Sequence, residues 1–472
     1  MQKPKDQKTK RRDINKHEEL LDKVFKKKDV KIAVFGQGQV GLPLSLAFAS
    51  AGIKVIGVEK SHELVKDLNE GRCNNSNNLI KKLHQALIAD KYFVTTDIRN
   101  ACKEADIGIV CVPTPILHGK SDLSYVIQTI DAFCEKLDKW KVLIVESSLE
   151  PGQIDNNIIP FIEGRGIKVG IDIGLAYCPE RINPGDLIWQ IDNIPRVAAV
   201  SDDETRNVVL ELYKSIMSAS VSFLSSFKSA EVVKSFENTF RFVNISLVNE
   251  LAIFCEKFGV DVYEVIASAS TKPFAFMPHY PSAGIGGHCL PKDSMHLYRS
   301  SERAGAKMRI LRSAIKANEL MPGHIVSLIM STWNSLKLSQ TNNYVVLIGL
   351  AYKENIGDLR ESPGLKVAEQ LVRESFNVII SDPYIASSKL EKLGFPLLDN
   401  QDGQIKARIS GICIVQNHYS VNKTLQKIVK ESPVRFVVDC KNMIENRGLV
   451  SFLRSRKIRM VRLGSGKKID GK

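Results

Sequence analysis

Three glycines that follow a short apolar run constrain the fold of this chain more than any other feature. They stand in the spacing G-x-G-x-x-G at Gly36, Gly38 and Gly41. Residues 31–35 (KIAVF) predict a buried strand before them, and residues 42–51 carry a helical pattern after them. A second strand-like run, residues 54–58, ends on Glu59. Strand, tight turn, helix and strand in this order open a nucleotide-binding α/β sheet.

Each glycine of this loop has a physical purpose in binding a dinucleotide. The first allows the tight turn, the second lets the backbone approach a pyrophosphate, and the third packs the helix on the strand. The N-terminus of the helix then stabilises the phosphate charge. Glu59 can accept hydrogen bonds from both ribose hydroxyls and would repel a 2′-phosphate. The sequence therefore predicts NAD rather than NADP as the cofactor.

The rest of the chain alternates between apolar runs and helical stretches. Runs at 107–112 and 142–145 continue the first parallel sheet to about residue 200. Apolar residues at steps of three and four predict one long helix over residues 228–258, which would form a spine between domains or part of a dimer interface. From residue 344 the strand–loop–helix rhythm restarts.

We therefore predict an α/β protein with two Rossmann-like, doubly wound domains joined by a long central helix and a helical segment. A chain of 472 residues is long enough for two or three domains. The predicted segments are a basic flexible tail (1–29), a first Rossmann domain (30–215), a central helical domain (216–330), a second Rossmann-like domain (331–460) and a basic tail (461–472).

The formal net charge of +14 is concentrated at the two ends of the chain. Residues 1–28 hold eleven Lys/Arg against five Asp/Glu, and residues 453–472 hold eight against one. We expect two solvated, partly disordered tails rather than an arm for nucleic acid, and we expect removal of residues 1–28 to leave turnover nearly unchanged. No apolar run approaches the ~18 residues that span a bilayer.

Nine cysteines are scattered through the chain, and none belongs to a Cys-x-x-Cys pair. The pattern favours neither a zinc ribbon nor a thioredoxin motif, and no metal site is predicted. An odd, unpaired set without an apolar leader segment indicates a reducing compartment, so we expect a cytoplasmic protein. Most of the nine are expected to be small buried side chains.

Cys289 is the exception, because it lies in the glycine-rich segment GIGGHCLPKD at residues 284–293. Glycines there permit backbone conformations closed to other residues and let a substrate come close. A thiol is a strong nucleophile even when only a few per cent of it is ionised. Asp293, four residues on, offers a base or a positioning carboxylate. No role as base or ligand is predicted for His288.

Lys234, Asn238 and Arg241 lie on one face of the predicted long helix. A lysine and an amide pointing into a cleft could stabilise a developing oxyanion. The same spacing is typical of a solvated polar face, which is the better interpretation of the spacing alone.

Seven segments together resemble the UDP-glucose/GDP-mannose dehydrogenase family, over roughly residues 30 to 450. They are GQGQVGLPLSLAFA (36–49), CVPTP (111–115), ESSLEPG (146–152), YCPERINPGD (177–186), KSFENTFR (234–241), GIGGHCLPKD (284–293) and GLAYKENIGDLRESP (349–363). The resemblance implies a four-electron oxidation of a primary alcohol to a carboxylate, with two NAD consumed per turnover and a thioester intermediate. It also implies a UDP-sugar substrate, UDP binding by the second Rossmann-like domain, polysaccharide biosynthesis, and a homodimer or larger homo-oligomer.

The resemblance also implies roles for individual residues. Cys289 is the nucleophile, Lys234 and Asn238 stabilise the oxygen, Asp293 assists proton transfer, and Glu180 acts in hydrolysis. Ser148 stands where the family usually has threonine and keeps a hydroxyl that would hold a water. The residues that touch the cofactor would be Gly36, Gly38, Gln39, Val40, Gly41, Glu59, Thr114 and Ser148. The residues that line the nucleotide-sugar site would be Arg181, Ile182, Lys234, Asn238, Arg241, Gly286, Lys353 and Arg360.

The chain departs from the family pattern in the segment before the cysteine loop and at Ser294, where the family usually has proline. Neither change removes a catalytic group, but both could reshape the sugar pocket. His288 and the segment TKPFAFMPHYP (271–281) resemble the branch that acts on UDP-N-acetylglucosamine. UDP-N-acetylmannosamine is the second alternative and UDP-glucose the third.

Two hypotheses from other classes of protein are alternatives to this one. A hydroxy-acid or acyl-CoA dehydrogenase would share the glycine loop but would need neither a cysteine nor a second α/β domain. A nucleotide-sugar-binding regulator would not need the complete set of catalytic side chains.

Overall fold

The computed structural model describes residues 18–466 except 25, 27–29, 74–75, 118–119, 136, 138, 183–187 and 444–446. The predicted tails are therefore outside the described residues over 1–17 and 467–472. The chain divides into two compact units, Met1–Phe236 and Glu237–Lys472. Within the described ranges, no helix is both long enough and apolar enough to cross a membrane. The α/β fold class predicted from the sequence is confirmed.

An eight-stranded sheet forms the centre of the first unit, beside a two-stranded ribbon (β5 and β6). The strands are β1 (Lys31–Phe35), β2 (Lys54–Val58), β3 (Tyr92–Thr95), β4 (Ile107–Val110), β5 (Ile116–Leu117), β6 (Lys120–Ser121), β7 (Lys141–Val145), β8 (Ile173–Tyr177), β9 (Arg196–Val200) and β10 (Val221–Phe223). The order in the sheet is β10-β9-β8-β7-β4-β1-β2-β3. Order and direction are those of a Rossmann sheet from β3 to β8.

The prediction of a parallel sheet up to residue 200 is wrong for one pair of strands, because β9 runs antiparallel to β8. A parallel neighbour would need a crossover, usually a helix, whereas an antiparallel neighbour does not. The described part of the β8–β9 connection contains no helix. The sheet also continues past residue 200, since β10 pairs with β9 in parallel.

Helices cover both faces of this sheet, because alternate strand residues point to opposite sides. Ile32 and Val34 belong to one apolar cluster, while Ala33 and Phe35 belong to the other. The helices are α1 (residues 18–24), α2 (Gly41–Ser50), α3 (His62–Asn69), α4 (Asn77–Ile88), α5 (Ile98–Glu104), α6 (Ser124–Cys134), a π-helical turn (Ile154–Ile158), α7 (Ile159–Glu163) and α8 (Asp203–Lys214).

Helix α1 lies inside the segment that was predicted to be a solvated tail. Leu20 and Val24 are 4% and 1% exposed and belong to the same apolar cluster as Ile32. The many positive charges of residues 1–28 favoured the prediction of a solvated tail, although this short stretch is amphipathic. The N-terminal part of the fold therefore begins before residue 30.

The second unit combines long helices with a five-stranded parallel sheet. Its helices are α9 (Phe227–Phe258, which begins in the first unit), α10 (Val262–Ala269), α11 (Cys289–Arg303), α12 (Arg309–Ser335), α13 (Pro363–Arg373), α14 (Ser387–Lys392), a 3₁₀ turn (Leu398–Asn400), α15 (Gly403–Lys406), α16 (Val421–Glu431) and α17 (Arg447–Ser455). Its strands are β11 (Tyr344–Ile348), β12 (Asn377–Ser381), β13 (Ile409–Ile414), β14 (Phe436–Asp439) and β15 (Arg459–Arg462), in the order β12-β11-β13-β14-β15.

One apolar core joins the helices of this unit to its sheet. Ile325 and Trp333 of α12 pack with Val345 of β11 and Phe436 of β14. The indole ring of Trp333 meets the Phe436 ring edge-on at a centroid distance of 5.9 Å. The helical segment and the second sheet therefore stabilise one another.

The end of β15 and the residues just after it contact the first helices of this unit. Arg462, the last residue of β15, forms an ion pair with Asp261. The backbone N–H of Gly464 donates to Glu256 Oε1 at 2.8 Å, and the N–H of Val262 donates to the Gly464 carbonyl at 2.8 Å. The boundary predicted at 461 thus falls within β15, and the described fold runs to residue 466.

Candidate active site

The glycine loop between β1 and α2 is shaped by close backbone packing. Gly36 has a φ of +88°, and its N–H donates to the Val58 carbonyl at 2.8 Å. A Cβ on Gly36 would lie 2.8 Å from the Cys111 carbonyl oxygen, and one on Gly41 would lie 1.8 Å from the Gly36 oxygen. A Cβ on Gly38 would meet nothing within 4 Å. Two glycines are thus required by the fold, and the third leaves its backbone open to a ligand.

Glu59 is held beside this loop at the carboxyl end of β2. Its Oε2 accepts from the N–H of Gln37 at 3.1 Å, and its Oε1 accepts from the N–H groups of Lys60 and Ser61 at 2.9 and 3.2 Å. The loop itself rests on the buried Gln37 side chain, whose Oε1 accepts from the Tyr92 hydroxyl at 2.7 Å. Sequence reasoning missed Gln37, since its partners lie far away in the chain.

The first turn of α2 offers its backbone to an anion. Val40, the residue before the helix, has no polar side chain that could cap that turn. Gln39 is exposed next to it. Helix N-termini stabilise phosphate through their N–H groups and dipole. The open Gly38, the uncapped turn and the Glu59 carboxylate fit a bound dinucleotide.

Two loops at the carboxyl edge of the first sheet are joined through Thr114 and Ser148. The buried Thr114 hydroxyl donates to the Ser148 carbonyl at 2.7 Å, and the Ser147 hydroxyl donates to the Val112 carbonyl at 2.7 Å. The half-buried Ser148 side chain is left at the same edge. The structure therefore brings together two of the predicted site residues.

Glu180 lies three residues beyond β8, at the same edge. Its Oε1 accepts from the backbone N–H groups of Arg181 and Ile182 at 2.6 and 2.5 Å. Its Oε2 lies 3.4 Å from Nη2 of Arg196, a residue that the sequence analysis did not identify. The Arg181 guanidinium donates to the Pro195 carbonyl at 2.6 Å. Arg181 and Ile182 are half-buried, and the motif residues 183–186 lie outside the described residues.

Cys289 is the first residue of α11, and its side chain is exposed. All nine cysteines are free thiols; six are buried and two, Cys73 and Cys111, are half-buried. The partial positive charge of the helix N-terminus stabilises an anion at this position. Cys289 is thus the cysteine that combines exposure with a helix N-terminus.

Side-chain amides from two helices hold the loop that leads to Cys289. Asn318 of α12 accepts from the Ile285 N–H at 2.6 Å and donates to the Ile285 carbonyl at 3.2 Å. Asn249 of α9 accepts from the Ser282 N–H at 2.9 Å. Both amides interrupt the buried faces of their helices, which is the signal that the sequence analysis could have used.

Gly286 and Gly287 pack against the loop that follows β11. A Cβ on Gly287 would lie 2.4 Å from the Tyr352 ring, and one on Gly286 would lie 2.6 Å from the Glu361 carbonyl oxygen. The Gly287 N–H donates to the Arg360 carbonyl at 3.0 Å. Tyr352 was not among the predicted site residues, although it covers both glycines.

The predicted acid and amide of the second unit are in contact. Asn238 Nδ2 on α9 donates to Asp293 Oδ2 on α11 at 2.6 Å, and both side chains are buried. One amide hydrogen of Asn238 remains for another acceptor. Half-buried Lys234 lies one turn before Asn238 on the same helix, whereas Arg241 is exposed. Asp293 lies one turn after Cys289 on α11.

His288 follows Gly287 in the chain, and the Arg360 carbonyl accepts from the Gly287 N–H. Burial, with Lys292 and Arg360 nearby, lowers the pKa of His288 to about 4, so the imidazole is neutral at pH 7. Arg360 pairs with Asp358 at 2.6 Å, and Lys353 in the same loop is half-buried. Among the described residues, no group of three acids, histidines or cysteines could hold a metal ion.

This arrangement can perform nucleophilic catalysis on a carbonyl. An exposed thiol at a helix N-terminus, with an acid–amide pair one turn away, can add to a carbonyl and stabilise the resulting oxygen. The first unit, taken by itself, has a dinucleotide loop and a carboxylate, Glu180, whose position is fixed by two backbone N–H groups.

Three models of one family match consecutive parts of the chain. The NAD binding domain of the UDP-glucose/GDP-mannose dehydrogenase family matches residues 30–217. Its central domain matches residues 228–320 and its UDP binding domain matches residues 346–446.

Individual relatives cover most of the chain. The UDP-N-acetyl-D-mannosamine dehydrogenase of Pyrococcus horikoshii is 32% identical over 419 residues, which are 86% of this chain and 98% of that protein. The UDP-N-acetyl-D-glucosamine 6-dehydrogenase of Pseudomonas aeruginosa is 32% identical over 362 residues, which are 76% of this chain and 84% of that protein. The solved structure of the Pyrococcus horikoshii mannosamine enzyme superposes with a TM-score of 0.82 at 29% identity, covering 93% of this chain and 100% of that one.

Proposed function

This chain belongs to the UDP-glucose/GDP-mannose dehydrogenase family, and from that premise we propose that it oxidises carbon 6 of a UDP-linked N-acetylhexosamine to the uronic acid. Its general activity is that of an NAD-dependent nucleotide-sugar 6-dehydrogenase. The observation that most supports the full oxidation is the exposed Cys289 thiol at the start of α11.

The cofactor would be held by the loop and edge residues of the first unit. Bound there, NAD would supply a hydride acceptor for the carbon 6 alcohol and again for the thiohemiacetal, so two molecules would be consumed per turnover. The residues proposed to hold it are Gly36, Gly38, Gln39, Val40, Gly41, Glu59, Thr114 and Ser148.

Cys289 captures the aldehyde before it can leave. Its sulfur forms a bond to carbon 6, and the thiol proton ends on the former carbonyl oxygen, which gives a thiohemiacetal. Lys234 and the second amide hydrogen of Asn238 stabilise that oxygen while it carries negative charge. Asp293 assists the loss of the hydroxyl protons. Oxidation of the thiohemiacetal leaves a thioester on Cys289.

Water then cleaves the thioester. Glu180 accepts a proton from the water as its oxygen bonds to carbon 6, and the carbon–sulfur bond breaks to return the thiol and the carboxylate. The Ser148 hydroxyl holds this water. The nucleotide sugar itself would be held by Arg181, Ile182, Lys234, Asn238, Arg241, Gly286, Lys353 and Arg360.

Two epimers compete as the sugar. The resemblance of residues 271–281 and His288 favours N-acetylglucosamine, which we propose first. The mannosamine enzyme of Pyrococcus horikoshii, similar over almost its whole length, favours N-acetylmannosamine as the alternative. NADH yield from UDP-N-acetylglucosamine, UDP-N-acetylmannosamine and UDP-glucose, each offered separately, distinguishes the three. Two NADH per molecule from the mannosamine substrate alone would contradict the first choice.

The assignment of Cys289 is tested with Cys289→Ala. The variant keeps the cofactor loop and Lys234 but cannot form the thioester, so we expect NADH limited to about one per active site and no accumulation of uronic acid. Cys73→Ala, which replaces a half-buried thiol in the first unit, serves as the matched control. Full conversion by Cys289→Ala, with two NADH per sugar at the wild-type rate, would disprove the covalent mechanism.

The proposed assembly is a homodimer formed through α9. Phe240, Leu247, Phe254 and Phe258 are 44%, 61%, 53% and 69% exposed on this helix. Their spacing places them on one face, and a continuous row of exposed large apolar side chains is typical of protein–protein contact. We propose a second copy of the chain as the partner, a cytoplasmic location in view of the nine free thiols, and a role in polysaccharide biosynthesis.

A further inference from the structure

A buried arginine in the first unit lies between two carboxylates. Arg196 is 4% exposed; its Nη1 lies 2.9 Å from Glu146 Oε1, and its Nη2 lies 3.4 Å from Glu180 Oε2. Its guanidinium also lies over the Tyr213 ring, 4.6 Å from the centroid. Arg196, Glu146 and Tyr213 are not among the site residues predicted from the sequence.

The reversed strand β9 is the reason these side chains meet. Glu146 follows β7 directly, and Glu180 follows the parallel β8, so both lie at the carboxyl edge of the sheet. Arg196 is the first residue of β9, which runs antiparallel to β8. In a parallel strand the first residue would lie at the opposite edge. The antiparallel direction brings the guanidinium to the acids.

Among the described residues, the ion pairs of both acids go to the same cation, Arg196, so this part of the cluster holds one acid in excess. The Tyr213 hydroxyl donates to Glu146 Oε1, while Glu146 Oε2 has no hydrogen-bond partner among the described residues. Burial raises the pKa of Glu146 to about 7. Burial also raises the thiol pKa of Cys111 and Cys178 well above the ordinary range, so neither adds charge at neutral pH.

Glu180 is the acid whose geometry is fixed. One of its oxygens accepts two backbone N–H groups, which occupy both lone pairs of Oε1. The remaining oxygen, Oε2, faces Arg196 at 3.4 Å, a distance longer than an ideal charged hydrogen bond. Oε2 therefore retains a lone pair that can accept a proton from water.

We propose that Arg196 is a positioning residue that orients Glu180 for thioester hydrolysis, and that the charge on Glu146 controls how strongly Arg196 acts on Glu180. This inference rests on the proposed function, because it assumes the thioester on Cys289. When Glu146 is ionised it shares the positive charge of Arg196, so that less of this charge opposes proton transfer from water to Glu180. When Glu146 is protonated, the whole charge of Arg196 acts on Glu180 and opposes the transfer of a proton from water. Hydrolysis should therefore accelerate as the pH rises and Glu146 loses its proton.

The test measures the thioester itself. Full-length enzyme is mixed with NAD and the UDP-sugar that it oxidises, quenched in acid at intervals, and weighed intact by mass spectrometry. The decay of the Cys289 thioester is followed from about pH 5 to about pH 9. In the wild type we expect the rate constant to rise by about tenfold with a midpoint near neutrality.

Two variants change the pH dependence of thioester decay without changing Glu180. Glu146→Gln is uncharged at every pH, so its decay rate should be independent of pH and equal to the slow acid-side value of the wild type. Tyr213→Phe removes a hydrogen bond that favours ionised Glu146, so its midpoint should move to higher pH. Because Tyr213→Phe keeps the ring against Arg196, it also provides the test if Glu146→Gln does not fold.

Arg196→Lys keeps the charge but loses the forked geometry. Its thioester should decay about tenfold more slowly or worse at each pH, while the burst of two NADH per site remains. Asp106→Asn is the matched control, because Asp106 is a buried, lysine-paired acid at the opposite edge of the same sheet. Its decay profile should equal that of the wild type.

The outcomes separate the two hypotheses. A wild type that yields neither two NADH per sugar nor the thioester mass would disprove the proposed function. If the wild type forms the thioester and the pH profile of its decay is unchanged in Glu146→Gln and Tyr213→Phe, the present inference alone is overturned. A normal decay rate in Arg196→Lys would overturn the positioning role.

Discussion

At the end of β2, Glu59 keeps its carboxylate beside the glycine loop through three backbone N–H groups. Glu59→Ala should narrow the preference for NAD over NADP, because it removes both the ribose acceptor and the repulsion of a 2′-phosphate. A hydrogen bond to a charged group contributes about 1.5–3 kcal/mol, so the preference should fall by roughly tenfold to a hundredfold. The measurement is kcat/KM with each cofactor. Equal use of both cofactors by the wild type would refute the role of Glu59.

Gly287 tests whether the cysteine loop depends on its contact with Tyr352. Gly287→Ala introduces a Cβ 2.4 Å from the Tyr352 ring, at a φ of +87°, so we expect activity to fall by more than tenfold with the loop displaced. Gly305→Ala is the control, since Gly305 has a φ of +74° but open space around it. Gly305→Ala should lower the free energy of unfolding only by the backbone strain, about 1–2 kcal/mol.

A second replacement separates overlap from strain. If overlap is the cause, adding Tyr352→Ala to Gly287→Ala should recover part of the kcat, provided that Tyr352→Ala alone retains measurable activity. Equal losses of activity in Gly287→Ala and Gly305→Ala would show that activity does not depend on the close contact between Gly287 and Tyr352.

At the scale of residues, the sequence identified the groups that have a local signature. The glycines of the dinucleotide loop and Cys289 stand in short motifs whose spacing reflects nearby backbone geometry. The sequence did not identify Asn318, Tyr352 or Arg196, because only the fold brings their partners close to them. Asn318, for example, contacts Ile285 across 33 residues of sequence.

Helix α9 matches its predicted extent to within one residue, yet its polarity is unusual. Its buried face includes Asn238, Ser246 and Asn249, whereas Phe240 and Phe254 are exposed. Periodicity alone predicted that the apolar stripe would be covered, but could not say by what. Likewise, no local pattern in residues 196–200 shows that β9 runs antiparallel, because strand direction depends on the connection.

The exposed face of α9 gives a prediction about assembly. Leu247→Asp and Phe254→Asp should convert a dimer into monomers, because each would bury an unpaired charge in the contact. The molar mass is measured by light scattering after size-exclusion chromatography. Ile88→Asp is the control, since Ile88 is an exposed apolar residue on α4 in the other unit. A monomeric wild type at micromolar concentration would rule out the proposed dimer.

At the scale of the whole molecule, the basic N-terminal segment was predicted to be a solvated tail, but part of it belongs to the fold. Leu20 and Val24 belong to the core of the first unit, so removal of residues 1–28 should reduce stability rather than leave the enzyme unchanged. Leu20→Ala should lower the free energy of unfolding by about 2–5 kcal/mol, the usual cost of emptying a core position. Urea unfolding of the full chain measures this value. Glu18→Ala, an exposed change on the same helix, should have almost no effect.

Arg462 and Gly464 contact helices α9 and α10. This contact determines when the second unit can finish folding during synthesis. Arg462 reaches Asp261 across 201 residues, and Gly464 reaches Glu256 across 208. Closing loops of this length slows folding. The sheet of the first unit ends at Phe223, so it can form while the ribosome is still translating the second half. Helix α10 must wait for the last residues of β15, and until they emerge we expect the newly made chain to rely on chaperones.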